Sequence, residues 1–361
     1  MENGSEERVT PRIRVALDAR SIQEQPPNGV GRVTRQVLPV LADRVDFELM
    51  TQCERPPIEM GLPEHPLRTP WPGLASGWLQ LPAARWLKRF DGIFHCPWYA
   101  LPFVQHVPMV VTLHDLTFER HPEWFGRARC ASYVVQARWA ARTARSILTT
   151  SHQVADDVMR TYRVPAERLF VARPAVEPIF RPGVDATGVL DRLGIRRPYV
   201  VAVGGGSPRR NLPAAVEAWR AVRREHPIDL VVLGSNPLPP ETGLVVTPLT
   251  DEDWVAVLGG ALALLYPTRY EGFGLPAVEA AACGTPVVCA PVGSLPEVLG
   301  ETAAWCAEPE ASAVADVLRR LVSSPQWADE LSAAGLDRVQ SMSSLVEPAE
   351  AFLAAYSRAA S

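Results

Sequence analysis

Apolar runs alternate with amphipathic stretches twice along this chain. In the first half, 13–19 (IRVALDA) reads as a buried strand, followed by a glycine-led helix over 29–44 (GVGRVTRQVLPVLADR). The runs at 91–96 (DGIFHC), 107–115 (VPMVVTLHD), 146–151 (SILTTS) and 168–173 (RLFVAR) predict further strands. A long amphipathic helix falls between them at 129–144. Residues 172–182 (ARPAVEPIFRP) hold three prolines and no periodicity, which predicts an interdomain linker.

The alternation then restarts. Strands are predicted at 198–206 (PYVVAVGGG), 228–235, 243–249, 261–268 (ALALLYPT) and 285–293, with helices at 212–226 and 251–261. Helical patterns fill 312–324, 325–341 and 347–360. Strands alternating with helices imply parallel sheets covered on both faces. The expected architecture is α/β: two Rossmann-like domains facing across a deep cleft. The first spans 1–175 and the second 183–345, with a terminal helix near 346–361 that packs back on the first. Ligands of such sheets sit at the carboxyl ends of strands, so the cleft is the expected site.

The segment 269–288 (RYEGFGLPAVEAAACGTPVV) concentrates the chemistry. Gly272 and Gly274 allow a tight turn after a strand. Pro276 suits a first helical turn, where its missing N–H costs nothing. The amides of Phe273, Gly274 and Leu275 would then point at an anion, for which a diphosphate is a natural guest. Glu279 would lie ~5 Å along that helix, within reach of a ribose diol. Glu271, at the strand end, would face the other side of the phosphates. Each feature has an ordinary explanation too, since a glutamate near a helix start is favoured by the dipole alone. A second anion-binding element is the GGG at 204–206 followed by Arg209, Arg210 and Asn211, whose guanidinium forks suit phosphate oxygens. No G-x-G-x-x-G forms there.

Composition removes alternatives. With 361 residues, 47% hydrophobic, 21% charged and a net charge of −4, the chain supports two ordinary cores and no nucleic-acid partner. Lys88 is the only lysine among 36 basic residues, and it stands in WLKRF. That excludes a Walker-A loop and disfavours a pyridoxal-phosphate Schiff base. Six scattered cysteines without a C-x-x-C pair read as reduced thiols. The polar start of the chain and the lack of a ~20-residue apolar run lead to the expectation of a cytoplasmic protein. The stretch 71–90 interleaves Trp71, Trp78 and Trp86 with Arg85, Lys88 and Arg89. It is expected as a packed helix, with a membrane-surface helix on the inner face as the rival reading. Asp251–Glu252–Asp253 spells a D-x-D, but it opens a helix after Thr250 and reads as N-terminal charge.

The runs at 204–219, 265–303 and 28–38, together with LHDLTFERHPEWF at 113–125 and TTSHQVADDVM at 149–159, resemble the retaining family 4 glycosyltransferases of GT-B fold. The likeness covers nearly the whole chain and is nearest the mannosyltransferase branch. It implies that Glu279 holds the ribose of a nucleotide-sugar donor and Glu271 contacts the donor sugar. Arg209, Arg210 and the amides from Gly272 to Leu275 would hold the pyrophosphate. The same likeness puts His114 and Asp115 beside the transferred sugar, Gly29 and Gly31 at the opposite wall, and backbone near Leu249 at the base. Relatives carry Arg-Lys-Asn where this chain has Arg209–Arg210–Asn211, in keeping with its scarcity of lysine.

The expected reaction is a metal-independent, retaining transfer, with no cofactor. A hexosyl group moves from GDP-mannose, or from a UDP-hexose, to a hydroxyl of a glycan, glycolipid or small-molecule acceptor. The alternatives are a nucleotide-sugar epimerase of the same fold and a non-catalytic binding subunit.

Overall fold

The structure, a computed structural model, describes residues 12–25, 28–69, 75–204, 206–234, 244–246 and 249–361. Strands β1 (Ile13–Asp18), β2 (Val45–Gln52), β3 (Glu64–Leu67), β4 (Ile93–Cys96), β5 (Met109–Leu113), β6 (Ser146–Thr149) and β7 (Leu169–Val171) form one sheet, ordered β3-β2-β1-β4-β5-β6-β7. Strands β8 (Tyr199–Val203), β9 (Asp229–Leu233), β10 (Leu244–Val246), β11 (Leu264–Tyr266), β12 (Val287–Cys289) and β13 (Ala304–Trp305) form the other, ordered β10-β9-β8-β11-β12-β13. All described pairings are parallel. Residues of β4, β5, β6 and β8 are buried throughout, as helices on both faces require.

The helices that matter below are α1 (Gly29–Leu41), α2 (Arg127–Thr143), α3 (His152–Tyr162), α4 (Leu212–Val222), α5 (Asp251–Gly259), α6 (Leu275–Ala282) and α7 (Val346–Ala360). Asn28, Ser151 and Thr250 cap α1, α3 and α5 by accepting from the backbone amides of Gly31, Val154 and Asp253. Strand order reverses between β1 and β4 in the first sheet and between β8 and β11 in the second. Those two switch points open crevices at the strands' carboxyl ends.

Some elements differ from the sequence pattern. The helix expected over 29–44 ends at Leu41, and the chain turns directly into β2. That strand and β3 carry no clear apolar run. Asp46 and Glu48 interrupt β2, while β3 is an edge strand containing Pro66, where a missing donor is tolerated. In the tryptophan-rich stretch, Ala75–Leu87 is helical with a π segment at Leu79–Ala83 around Pro82. Trp78, Leu79 and Leu87 are buried, and Trp86 stacks on Phe90; Trp71 lies outside the described residues. Asp253 of the D-x-D sits in the first turn of α5 and pairs with Arg192.

Helix α7 lies against the first sheet, with Phe352 and Tyr356 packed on Phe47 and His95. His95 Nδ1 is 2.9 Å from Tyr356 Oη and its Nε2 2.9 Å from Thr112 Oγ1. Burial pushes this imidazole down to about 3. The unfolded chain, titrating near 6.5, therefore takes up the proton first, and stability falls as pH drops below that value. Wild type is expected to lose about 2 kcal/mol more than His95→Gln between pH 7 and pH 5 in urea denaturation. Equal losses would show that His95 is not the titrating group.

Candidate active site

The loop from β11 to α6 is built from its backbone. Gly274 adopts a left-handed conformation at φ 93°, no side chain caps α6, and Pro276 occupies its first turn, so the helix start faces outward uncapped. Glu279 lies one turn in, on a buried face. Its Oε1 accepts from Arg32 Nη1 at 2.8 Å and its Oε2 from Trp254 Nε1 at 3.2 Å. Glu271 is buried as well. Its Oε1 accepts from Tyr266 Oη at 2.6 Å and Thr268 Oγ1 at 3.3 Å, and its Oε2 is 3.5 Å from Arg209 Nη1.

After β8 the chain makes a single 3-10 turn, Pro208–Arg210. Asn211 follows at φ 49°, its amide donating to the Pro309 carbonyl at 2.6 Å. The Arg209 carbonyl accepts from the Arg269 amide at 2.8 Å and from the Thr268 hydroxyl at 3.1 Å, binding the two loops together. Arg209 then reaches across the cleft, with its Nη1 3.2 Å from Asp115 Oδ2. Arg210 instead folds over its own loop and donates to the Gly204 carbonyl at 3.0 Å.

The first half supplies the facing wall. His114 and Asp115 follow β5 directly. His114 Nε2 is 3.1 Å from the Pro97 carbonyl, which can only accept, so Nε2 carries the proton and Nδ1 of the neutral ring is an acceptor. Asp115 Oδ1 accepts from both the amide and the hydroxyl of Thr117. At Gly272 the halves come so close that a Cβ would stand 1.9 Å from the His114 carbonyl oxygen; at Gly31 one would stand 2.2 Å from that of Ser21. Ser151 Oγ donates to the Gly272 carbonyl, the Tyr270 hydroxyl to Asp157, and the first amides of α3 to Glu297. These bonds hold the halves together.

Between the halves lies a cavity of about 410 Å³. Of the residues the sequence singled out, Gly29, His114, Asp115, Arg209, Arg210, Glu271, Gly272, Phe273, Gly274, Leu275 and Glu279 line it. Gly31 serves the close approach behind it, and Leu249 packs half-buried on the second core, outside the lining. Arg32, Trp98, Trp254 and Tyr266 also line it without having been singled out. Arg32 had one available signal, its place directly after the glycines of NGVG. A larger cavity, about 630 Å³, opens at the β1/β4 switch point among Asp18, Arg20, Trp98 and Tyr133. Asn28 and Trp98 border both spaces.

Residues 27–180 match the model of "Glycosyltransferase Family 4", and residues 197–324 that of "Glycosyl transferases group 1". The chain belongs to glycosyltransferase family 4. Among its relatives are O-antigen chain mannosyltransferase B of Escherichia coli, 27% identical over 70% of this chain and 71% of that one, and the MMP alpha-(1->4)-mannosyltransferase of Mycolicibacterium hassiacum, 30% identical over 70% and 66%. The structure of Anabaena HepE in complex with UDP and glucose matches with a TM-score of 0.74 at 15% identity, covering 95% of this chain and 98% of that one. That likeness establishes the GT-B fold.

In this glycosyltransferase the charges of the cleft are mutually compensated. Burial disfavours the Arg209 cation, but Glu271 and Asp115 outweigh it and hold its pKa above the ordinary arginine value. Burial raises Glu279 above the usual carboxylate range, against the opposing pull of Arg32. Burial likewise holds His114 below its ordinary value, against the Pro97 carbonyl and Asp115, so the ring is neutral near pH 7. Among the described residues no cluster of three His, Cys, Asp or Glu could hold a metal ion, and no helix is long and apolar enough to cross a membrane.

Proposed function

We propose that this glycosyltransferase moves a hexosyl group, mannosyl by preference, from a nucleotide-diphosphate sugar to an acceptor hydroxyl, with retention and without a metal. One observation carries the reading: Arg209, Arg210 and the uncapped start of α6 face the same cavity as Glu271 and Glu279. A donor laid along that wall would rest its diphosphate on the two arginines and the helix amides, and its ribose on Glu279. Its sugar would lie toward Glu271, His114 and Asp115. The acceptor would enter through the larger cavity, where Trp98 borders both spaces. The bond from the anomeric carbon to the diphosphate oxygen breaks, and the acceptor oxygen bonds to that carbon from the same face. The acceptor's proton passes to the departing diphosphate. Negative charge grows on the leaving group, where preorganised cations and dipoles stabilise it most in a site closed to water. The mannosyl preference rests on the two mannosyltransferase relatives.

The test is a thermal-shift series with GDP-mannose, UDP-glucose and their nucleotides, followed by transfer assays with and without EDTA. At a hundredfold excess over Kd, the bound donor adds about 2.7 kcal/mol of stability, visible as a rise in Tm. EDTA is expected to leave turnover unchanged. No shift with any nucleotide, or turnover abolished by EDTA and restored by magnesium, would overturn the reading. Formation of an epimerised donor without any glycoside would show an epimerase instead.

A further inference from the structure

Arg32 belongs to the first half of the chain, yet its side chain ends in the second. It projects from α1 just after the Asn28 cap, in a first turn where Gly29 faces Leu275 of the opposite wall and Gly31 packs against the Ser21 backbone of its own half. Its Nε donates to Glu177 Oε1 at 2.8 Å, its Nη1 to Glu279 Oε1 at 2.8 Å, and its guanidinium lies 5.5 Å from the centre of the Phe180 ring. Glu177 and Phe180 stand in the connection between the sheets, so one guanidinium from the first unit touches the connection and the second unit at once. Its side chain is 26% exposed and borders the interdomain cavity.

The partner it holds is the carboxylate assigned above to the ribose. Each Glu279 oxygen accepts one bond from the protein, Oε1 from Arg32 and Oε2 from Trp254, and each keeps a second lone pair. Two donors on two oxygens fix both the rotamer and the plane of the carboxylate. A diol needs that, because its two hydroxyls must meet the two oxygens in one orientation. Trp254 fixes one oxygen from within the second unit. The other is fixed from the first unit, by Arg32.

Resting on the donor reading above, we propose that Arg32 is a positioning residue for the donor: from the opposite domain it orients Glu279, so that its two carboxylate oxygens are set to read the ribose diol. Removal of its fork should therefore abolish recognition of the diol rather than of the phosphates.

The experiment measures calorimetric affinities of GDP and UDP, and of their 2′,3′-dideoxy counterparts, for wild type, Arg32→Met, Arg32→Lys and Glu177→Gln. Wild type is expected to prefer the natural nucleotide over the dideoxy form by about tenfold or more, as for a hydrogen bond to a charged group. In Arg32→Met that ratio should collapse toward one while dideoxy affinity stays near wild type. Arg32→Lys, which keeps charge but not the planar fork, should fall between. Glu177→Gln removes the charge of the other arm while keeping an acceptor for Arg32 Nε, and should change affinity by less than about fivefold. An undiminished diol preference in Arg32→Met overturns the inference, as does one in Arg32→Lys if the methionine variant does not fold. So does an equal loss in Glu177→Gln, because Arg32 would then act through the connection. Binding of no nucleotide by wild type would instead sink the donor reading and this inference with it.

Discussion

Arg209→Met is expected to lower kcat/KM for transfer by about 10²–10³-fold, the usual effect of removing one preorganised donor to developing negative charge. This guanidinium lies between Asp115 at 3.2 Å and Glu271 at 3.5 Å, one carboxylate from each half. Its charge is secured by that pair despite burial, so on the proposed reading a departing diphosphate would meet it already positive and already oriented. Methionine fills similar space and leaves the two carboxylates without a cation between them. Both leaving-group stabilisation and cleft closure should suffer. Arg209→Lys should recover only part of the rate, because an ammonium is a point charge without the fork. Steady-state kinetics with saturating acceptor read the effect. A loss confined to KM would place the arginine in ground-state binding alone.

The second large effect is a contrast between two glutamates, one on the loop before α6 and one a turn into that helix. Glu279→Ala is expected to raise the donor KM by about 10- to 100-fold, the value of a hydrogen bond to a charged group, with a small change in kcat. Glu271→Ala should slow kcat by roughly a hundredfold, with nucleotide affinity nearly unchanged. The surroundings support the division. Glu279 is held by Arg32 and Trp254 at the helix end of the cavity, whereas Glu271 is held by Tyr266, Thr268 and Arg209 at the strand end, facing Asp115 across the cleft. Transfer kinetics and nucleotide affinities for both variants separate the two. Equal profiles, or a reversal, would contradict the assignment.

Much of this site was legible because its signals are local. A strand, a glycine turn, Pro276 in a first turn and a glutamate one turn later lie within a short segment, and backbone geometry follows from such spacing without knowledge of the rest of the chain. The tripeptide Arg209–Arg210–Asn211 was likewise readable as a polar turn after a buried strand. The two arginines nevertheless diverge. Arg209 crosses to Asp115 while Arg210 bends back to Gly204. Strand β2 escaped the pattern because Asp46 and Glu48 face outward near the edge of the sheet, where Glu48 pairs with Arg14.

Alternation of apolar runs with helical stretches was enough to specify two parallel α/β units, since burial on both faces demands continuous apolar strands. The partners of isolated polar residues needed the folded molecule. Arg32 and Glu279 are 247 positions apart, Asp115 and Arg209 are 94, and Tyr270 and Asp157 are 113. Periodicity describes one element at a time and contains nothing about which loop will face which. That pairing is decided only when two sheets close on each other and buried charges must find compensation across the gap.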